Sequence, residues 1–456
     1  MPKRERLAVA TLAAGFATAY ALVGVFRHWH FSSSAFDLGI FDQVVWHLSR
    51  FEVPASTING HANIFGDHFH PILVVFAPLY WIHAGPVTLI VAQAVVLAAS
   101  IVPVYAFARC RLSAGPALTL AAAYGCFWGM QRTAWFDVHE TAFAPLLIAI
   151  ALWAIDRQRW PVLWMASAVL LLVKEDMAPL VCGFGLYLMV TGQRRQGALL
   201  AVTGLGAFAV ILGVVIPWIN GQGAWAYGGL YDAVRQQPWM APVLLVTPIA
   251  KVETIGLWLA PCLFLSLVSP YGLLLIPVAA ERLLSVNSAH WGHGAHYSAP
   301  LAPILFVAAA DGLSRVVRRF DHPVTQRRFV IITATVMLVV SAIVPGRQPI
   351  FAVFTSKHYQ RARFQDTGEQ VVALIPPGAS VVAQGAIVPH LSNRRDIFVL
   401  RAEAPDADYV IASRDVSAWP EPDHDAIAAL VEQRKVNGYR TIFDRDNWIL
   451  LARPGR

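Results

Sequence analysis

Phe36-Asp37-Leu38-Gly39-Ile40-Phe41-Asp42-Gln43, with Asp67-His68-Phe69-His70-Pro71 closing the same loop, is the stretch on which the reading of this chain turns. It directly follows an apolar run, Leu7 to Phe26, and is far richer in ionisable groups than its surroundings. Phe36, Ile40, Phe41 and Val44 recur at helical spacing. Asp37 and Asp42 are separated by about 140° of helical rotation, so they occupy neighbouring faces. The pattern predicts an amphipathic helix at a membrane surface, its acids turned toward a water-filled cleft. A solvated juxtamembrane loop is the plainer alternative.

The rest of the chain supplies the membrane. Its 456 residues are 57% hydrophobic and 14% charged, with mean hydropathy +0.53. Soluble domains carry about 25% charged residues. Lys3, Arg4 and Arg6 precede the first apolar run and put the N-terminus in the cytoplasm. Further spans follow, so that run reads as an uncleaved helix. Residues 27–85 form a first outer loop, within which Ile72 to Ile82 is short, contains Pro78 and reads as interfacial or re-entrant. Spans are expected at 86–108, 116–130, 141–155, 160–173, 177–191, 197–218, 299–314 and 329–345. A polar loop is expected over 220–254 and a hairpin of two helices, broken at Ser269-Pro270, over 255–284. That makes about eleven crossings.

Charge supports this orientation. Arg109, Arg111, Arg157, Arg159, Arg194, Arg195, Arg315, Arg318 and Arg319 fall in the short inner segments. The net charge of +7 therefore reports membrane orientation, not nucleic acid. Acids and histidines gather at the outer side, as a functional chamber there requires. Cys110, Cys126, Cys182 and Cys262 lie in or beside apolar spans and read as packing residues.

After Gly346 the composition turns polar. Short apolar runs at 380–383, 397–400, 409–412, 441–443 and 448–452 read as strands, and Asp425 to Lys435 as a helix. The expected fold is thus mainly α: a polytopic helical membrane domain, residues 1–346, with a small extracytoplasmic α/β domain, residues 347–456.

Charges at membrane depth are expensive and mark function. Three clusters qualify: Asp37 with Asp42; Arg132, Asp137, His139 and Glu140 between two spans; and Lys174-Glu175-Asp176, which interrupts an apolar run. A simple turn is the plainer reading of the last. His68-x-His70 and His139-Glu140 offer unspecific ligand spacing for a divalent cation such as Mg or Mn, which could neutralise a phosphate. His290, His293, His296 and Tyr297 could contact phosphate or a headgroup, or line the interface.

Taken together, Phe36–Gln43, His68–Pro71, Phe136–Glu140, Lys174–Asp176 and His296-Tyr297 resemble a bacterial family of multi-spanning membrane proteins of unknown function. The layout is similar to the C-type glycosyltransferases, such as the protein O-mannosyltransferases and the lipid A aminoarabinose transferases. Those enzymes carry a catalytic Asp just after the first helix and use a sugar on polyprenyl phosphate. Asp37 occupies that place, although Leu38 stands where their Asp-Glu pair continues.

The resemblance implies an enzyme of the bacterial plasma membrane. It would transfer a polyprenyl-phosphate-linked sugar to a glycan, lipid or protein of the cell envelope, with no nucleic-acid partner. Asp37 would be the general base and Asp42 its orienting or acceptor-binding partner. Lys174 and Arg132 would hold the leaving phosphate, and His139 would donate to it. A flippase for lipid-linked precursors, or a non-catalytic assembly protein binding through its tail, are the alternatives. A transporter needs polar groups near the midplane, whereas here they collect at one face.

Overall fold

A computed structural model of the chain describes residues 2–346 and 348–455. Arg347, at the expected domain boundary, and Met1 and Arg456 at the ends lie outside the described residues. Among the described residues, five helices are long and apolar enough to cross a membrane: Lys3–Trp29, Pro86–Ala108, Arg194–Asn220, His296–Val317 and Pro323–Ile343. Shorter apolar helices, Ala114–Cys126, Ala144–Asp156, Trp160–Leu170 and Met177–Val190, pack among them. At about 1.5 Å per residue, an 11-residue helix such as Trp160–Leu170 reaches only about half of a bilayer core by itself.

Glycine brings two of these helices together. A Cβ on Gly185 would sit 2.3 Å from the Ala201 nitrogen, and one on Gly204 2.4 Å from the Cys182 nitrogen. Met177–Val190 and Arg194–Val210 therefore touch backbone to backbone. At one end of the body, Arg111 donates to Asp311 at 2.8 Å and to Asp156 at 2.6 Å, while Ser269 donates to Asp311 at 2.7 Å. The Ser269-Pro270 break lies in this network.

Several expectations about the helices need correction. The hairpin over 255–284 consists of helices Ala250–Leu259 and Leu275–Leu284, separated by a series of 3-10 turns. Pro261, Pro270 and two left-handed residues, Leu263 and Phe264, prevent a continuous helix there. The loop expected over 220–254 already contains short helical turns at Ala226–Tyr231, Asp232–Gln236 and Ala241–Leu244. The expected helix at Phe36 begins instead as a wide π turn, Ala35–Gly39, which continues as the α-helix Ile40–Leu48.

The tail folds around a five-stranded sheet. Its strands are β1 (Val381–Ala383), β2 (Ile397–Val399), β3 (Tyr409–Ser413), β4 (Arg440–Arg445) and β5 (Trp448–Ala452), in the order β2-β1-β3-β5-β4. β1 pairs in parallel with β2 and β3; β5 pairs antiparallel with β3 and β4. All five strands and the helix His424–Val436 match the sequence reading to within a few residues. Helix Arg363–Ala373 does not figure in that reading.

The sheet domain grips the first loop. The Ala35 N–H donates to the Gly385 carbonyl at 3.0 Å, just past β1. Gln43 Nε2 donates to the Arg394 and Arg395 carbonyls at 3.1 and 3.0 Å. Phe31 stacks on His390, their centroids 3.9 Å apart, and meets Trp448 edge-on. The π turn bearing Asp37 is thus clamped between the helical body and the tail.

Candidate functional site

A cavity of about 690 Å³ opens beside this clamped turn. Asp37, His68, His70, His139, Glu140, Lys174, Glu175, Asp176, His296 and Tyr297 all line it, although they come from distant parts of the chain. Lys174-Glu175-Asp176 is indeed the turn between two helices, and its side chains face the cavity.

Each charge has a definite environment. Lys174 Nζ lies 3.0 Å from Glu140 Oε1, with both side chains largely shielded. Burial opposes ionisation of Glu140, but the Lys174 ammonium together with His70, His139 and His68 outweighs it and holds the carboxyl down at about 2. Burial likewise disfavours the Lys174 ammonium, and Glu140, Asp176 and Glu175 more than offset it. Glu175 accepts from the Phe69 N–H at 2.9 Å and meets His68 Nδ1 at 2.5 Å. His139 Nε2 lies 2.8 Å from the Phe136 carbonyl, and its ring stacks on His296 with centroids 3.4 Å apart. Burial pushes His139 down to about 4, so it is neutral near pH 7.

Asp37 stands apart from this bonded set. The basic side chain within 4 Å of its carboxylate is the neutral imidazole of His139, with Nε2 3.9 Å away, beyond hydrogen-bond reach. Burial, with Asp137 and Glu140 nearby, pushes its carboxyl up to about 7. An acid of that pKa, unencumbered and facing a cavity, can exchange a proton near neutrality. Asp176 is raised to about 7 as well, by burial and then by Glu281.

Three expected site residues do not line the cavity. Asp42 is fully buried and points the other way, accepting from Tyr80, Asn393 and, at 2.7 Å, Ser392. The wide turn at 35–39 rotates it away from Asp37, so it joins the loop to the tail. Asp137 pairs with Arg27 and accepts from the Ser34 N–H at 2.8 Å, which fixes the entrance to the π turn. Arg132 sits over the Trp135 ring at 5.7 Å. The second cation expected from Arg132 is therefore missing from the cavity wall.

Arg282 lies behind that wall, next to its lining residues Glu281 and Tyr297, without lining the cavity itself. It is 1% exposed, yet none of its three guanidinium nitrogens has a hydrogen-bond acceptor. The nearest carboxylate oxygen, Glu281 Oε2, is 3.9 Å away, and the Tyr297 ring lies 5.4 Å from the guanidinium carbon. Asp67, Tyr227, Tyr231, Glu281 and His290 also line the cavity. Tyr227 donates to Asp67 at 2.9 Å, and Tyr231 to Glu281 at 2.8 Å. In the sequence, only its place at the end of the apolar run 270–284 sets Arg282 apart from other basic residues. Among the described residues, no group of three or more His, Cys, Asp or Glu side chains is placed to hold a metal ion. Among the cavity carboxylates, Glu140 is engaged by Lys174, Glu175 by His68, and Asp67 and Glu281 by tyrosine hydroxyls, whereas Asp37 and one oxygen of Asp176 have no such partner.

Apolar membrane-length helices and a charged cavity at one end define a polytopic membrane protein with a polar chamber. The chain belongs to the DUF2079 family of predicted membrane proteins, whose family model matches residues 27–450. No curated protein matches it. Among solved structures it is similar to ArnT from Cupriavidus metallidurans bound to undecaprenyl phosphate, at 13% identity and TM-score 0.59 over 97% of each chain. The apo state of the same protein matches at 14% identity and TM-score 0.55, over 96% of this chain and 98% of that one. AglB, the archaeal oligosaccharyltransferase from Archaeoglobus fulgidus in complex with an inhibitory peptide and a dolichol-phosphate, gives 12% identity and TM-score 0.46. It covers 99% of this chain and 75% of that one. The ArnT likeness shows a shared fold.

Proposed function

We propose that this protein transfers a sugar from a polyprenyl-phosphate donor to an acceptor of the cell envelope. The observation that carries the reading is Asp37: a carboxyl raised to about 7, without a close cation, in the wall of a cavity that also holds Lys174. A fold shared with a protein solved with undecaprenyl phosphate supports the donor class.

In the reaction, Asp37 takes the proton of the acceptor hydroxyl. The acceptor oxygen bonds to the anomeric carbon from the face opposite the leaving group. The bond from that carbon to the phosphate oxygen breaks, and polyprenyl phosphate leaves with the electron pair. Its charge rises from about −1 to about −2, so cations beside it stabilise the transition state more than the ground state. Lys174 and Arg282 flank Tyr297 and are the cations of this reading. Lys174 is already balanced by Glu140, so Arg282, with three unused donors, supplies the larger differential attraction. His68, His70, Glu175, Asp176 and His296 then bind the sugar or shape the wall. Asp42 and Asp137 act through the loop that presents Asp37.

The same reading places the polar chamber outside a bacterial plasma membrane, with about eleven crossings and a tail domain over 347–456 beyond the membrane domain. Basic residues at the opposite end support that orientation. The prenyl chain then stays in lipid while its phosphate reaches the cavity. The test is incubation of the purified protein with a panel of polyprenyl-phosphate sugars and envelope acceptors, with mass-spectrometric detection of product. Transfer supports the enzyme; no transfer, with lipid-linked sugar crossing proteoliposome membranes, favours a flippase.

A further inference from the structure

Helix Pro86–Ala108 has the length and apolarity of a membrane span, yet Gln93 interrupts its apolar run Leu89 to Leu97 and is only 1% exposed. An amide in such a place is costly unless both of its ends are bonded. Both are. Nε2 donates to the Asp137 carbonyl at 2.6 Å and to the Thr133 carbonyl at 3.2 Å, and Oε1 accepts from the His139 N–H at 2.8 Å. One side chain thus takes up both peptide groups that flank Val138, as a neighbouring strand would. Asp137 itself has φ +59°, in the left-handed region that a residue other than glycine adopts at a cost. The bond to its carbonyl helps to hold it there.

The segment held in this way carries much of the charge around Asp37. Asp137 pairs with Arg27 and accepts from the Ser34 N–H at the start of the π turn. His139 Nε2 is 3.9 Å from an Asp37 oxygen, and Glu140 meets Lys174 at 3.0 Å. We propose that Gln93 is a positioning residue: from the membrane helix, its amide fixes residues 137–140 and so sets the charges that surround Asp37. Its bearing on catalysis rests on the base role given to Asp37 above.

The groups facing Asp37 are Arg27, Asp137, His139, Glu140, Lys174 and Tyr297. Three of them lie on the held segment. Burial first, then Asp137 and Glu140, favours protonated Asp37, and Arg27 and Lys174 favour the carboxylate. Releasing the segment admits water, lets Asp137 and Glu140 move away and frees Arg27 to turn toward Asp37. All three changes make Asp37 ionise at lower pH.

The test uses the full-length protein in detergent and needs no turnover. The unfolding midpoint of Asp37→Asn, less that of its parent, is read from about pH 4 to about pH 9 in wild type and in Gln93→Met, which keeps the side-chain length and removes the amide bonds. In wild type the difference is expected to grow from about pH 4 and to level off above about pH 7. In Gln93→Met it should level off at least about half a pH unit lower, at a smaller plateau. Gln93→Asn, one methylene too short to reach both peptide groups, gives a shift of the same sign should Gln93→Met fail to fold. Leu97→Ala, a cavity at a fully buried position of the same helix, lowers the midpoint without moving the profile. A Gln93→Met midpoint lowered equally at every pH, with the profile unmoved, would overturn the proposal. So would a profile moved as far by Leu97→Ala, or one already flat in wild type. Absence of sugar transfer would count against the proposed reaction and not against the placement of Gln93.

Discussion

Lys174 and Glu140 form an ion pair of 3.0 Å in the wall of the cavity, with side-chain exposures of 13% and 3%. Removing one member leaves the other charged in a shielded place. Glu140→Gln is expected to destabilise the protein by about 3–5 kcal/mol, and adding Lys174→Met to recover most of that loss. Unfolding midpoints of the single and double variants in detergent check this. Equal stability of wild type and Glu140→Gln would mean that the pair is solvated.

Arg282 predicts the opposite sign. Its charge is buried without a bonded acceptor, so Arg282→Met should leave the unliganded protein as stable as wild type or more so. Undecaprenyl phosphate should raise the unfolding midpoint of wild type and fail to raise that of the variant. Thermal scans with and without the lipid read both effects. Unchanged protection in the variant would remove Arg282 from the phosphate site.

Asp37 sets a pH dependence. A carboxyl raised to about 7 is protonated below that pH and basic above it. The turnover rate should therefore climb with pH through about 7 and level off above it. The stability effect runs the other way. Burial makes ionised Asp37 unfavourable in the folded state, so its contribution turns destabilising as pH rises from about 4 toward 7. Asp37→Asn should thus raise the unfolding midpoint above pH 7 and have little effect near pH 4. Paired pH profiles of rate and midpoint check both signs.

Asp42 belongs to the joint between the first loop and the tail. Asp42→Ala strands the buried donors of Tyr80, Ser392 and Asn393, at a cost of about 1–3 kcal/mol or more. Limited proteolysis should release the tail from this variant sooner than from wild type. If Asp42 acted on substrate instead, a drop in turnover would appear without any change in proteolysis.

The long apolar helices were legible because apolar length is a local signal. The tail strands were legible because each is a short apolar run bounded by turn residues. Helix Arg363–Ala373 escaped because Gln365, Thr367 and Gly368 occupy buried positions that are usually apolar. Gly368 is there because Trp448 and Phe31 leave no room for a Cβ, with approaches of 2.4 and 2.9 Å. Clusters written together in sequence, such as Lys174–Asp176 and His139-Glu140, do meet in one cavity. Asp42 and Arg132 misled because a π turn and a local aromatic contact decide where they point, and neither shows in residue spacing. Arg282 was hidden because its importance lies in a lack of acceptors, a property of three-dimensional surroundings.

The most direct measurement compares wild type and Asp37→Asn for sugar transfer from a polyprenyl-phosphate donor, about one pH unit above the Asp37 pKa. The variant keeps size and loses only the basic oxygen and its charge. Turnover is predicted to fall by roughly 10²–10⁴-fold while affinity for the donor stays nearly constant, because Lys174 and Arg282 remain in place. Undiminished transfer by Asp37→Asn would contradict the account.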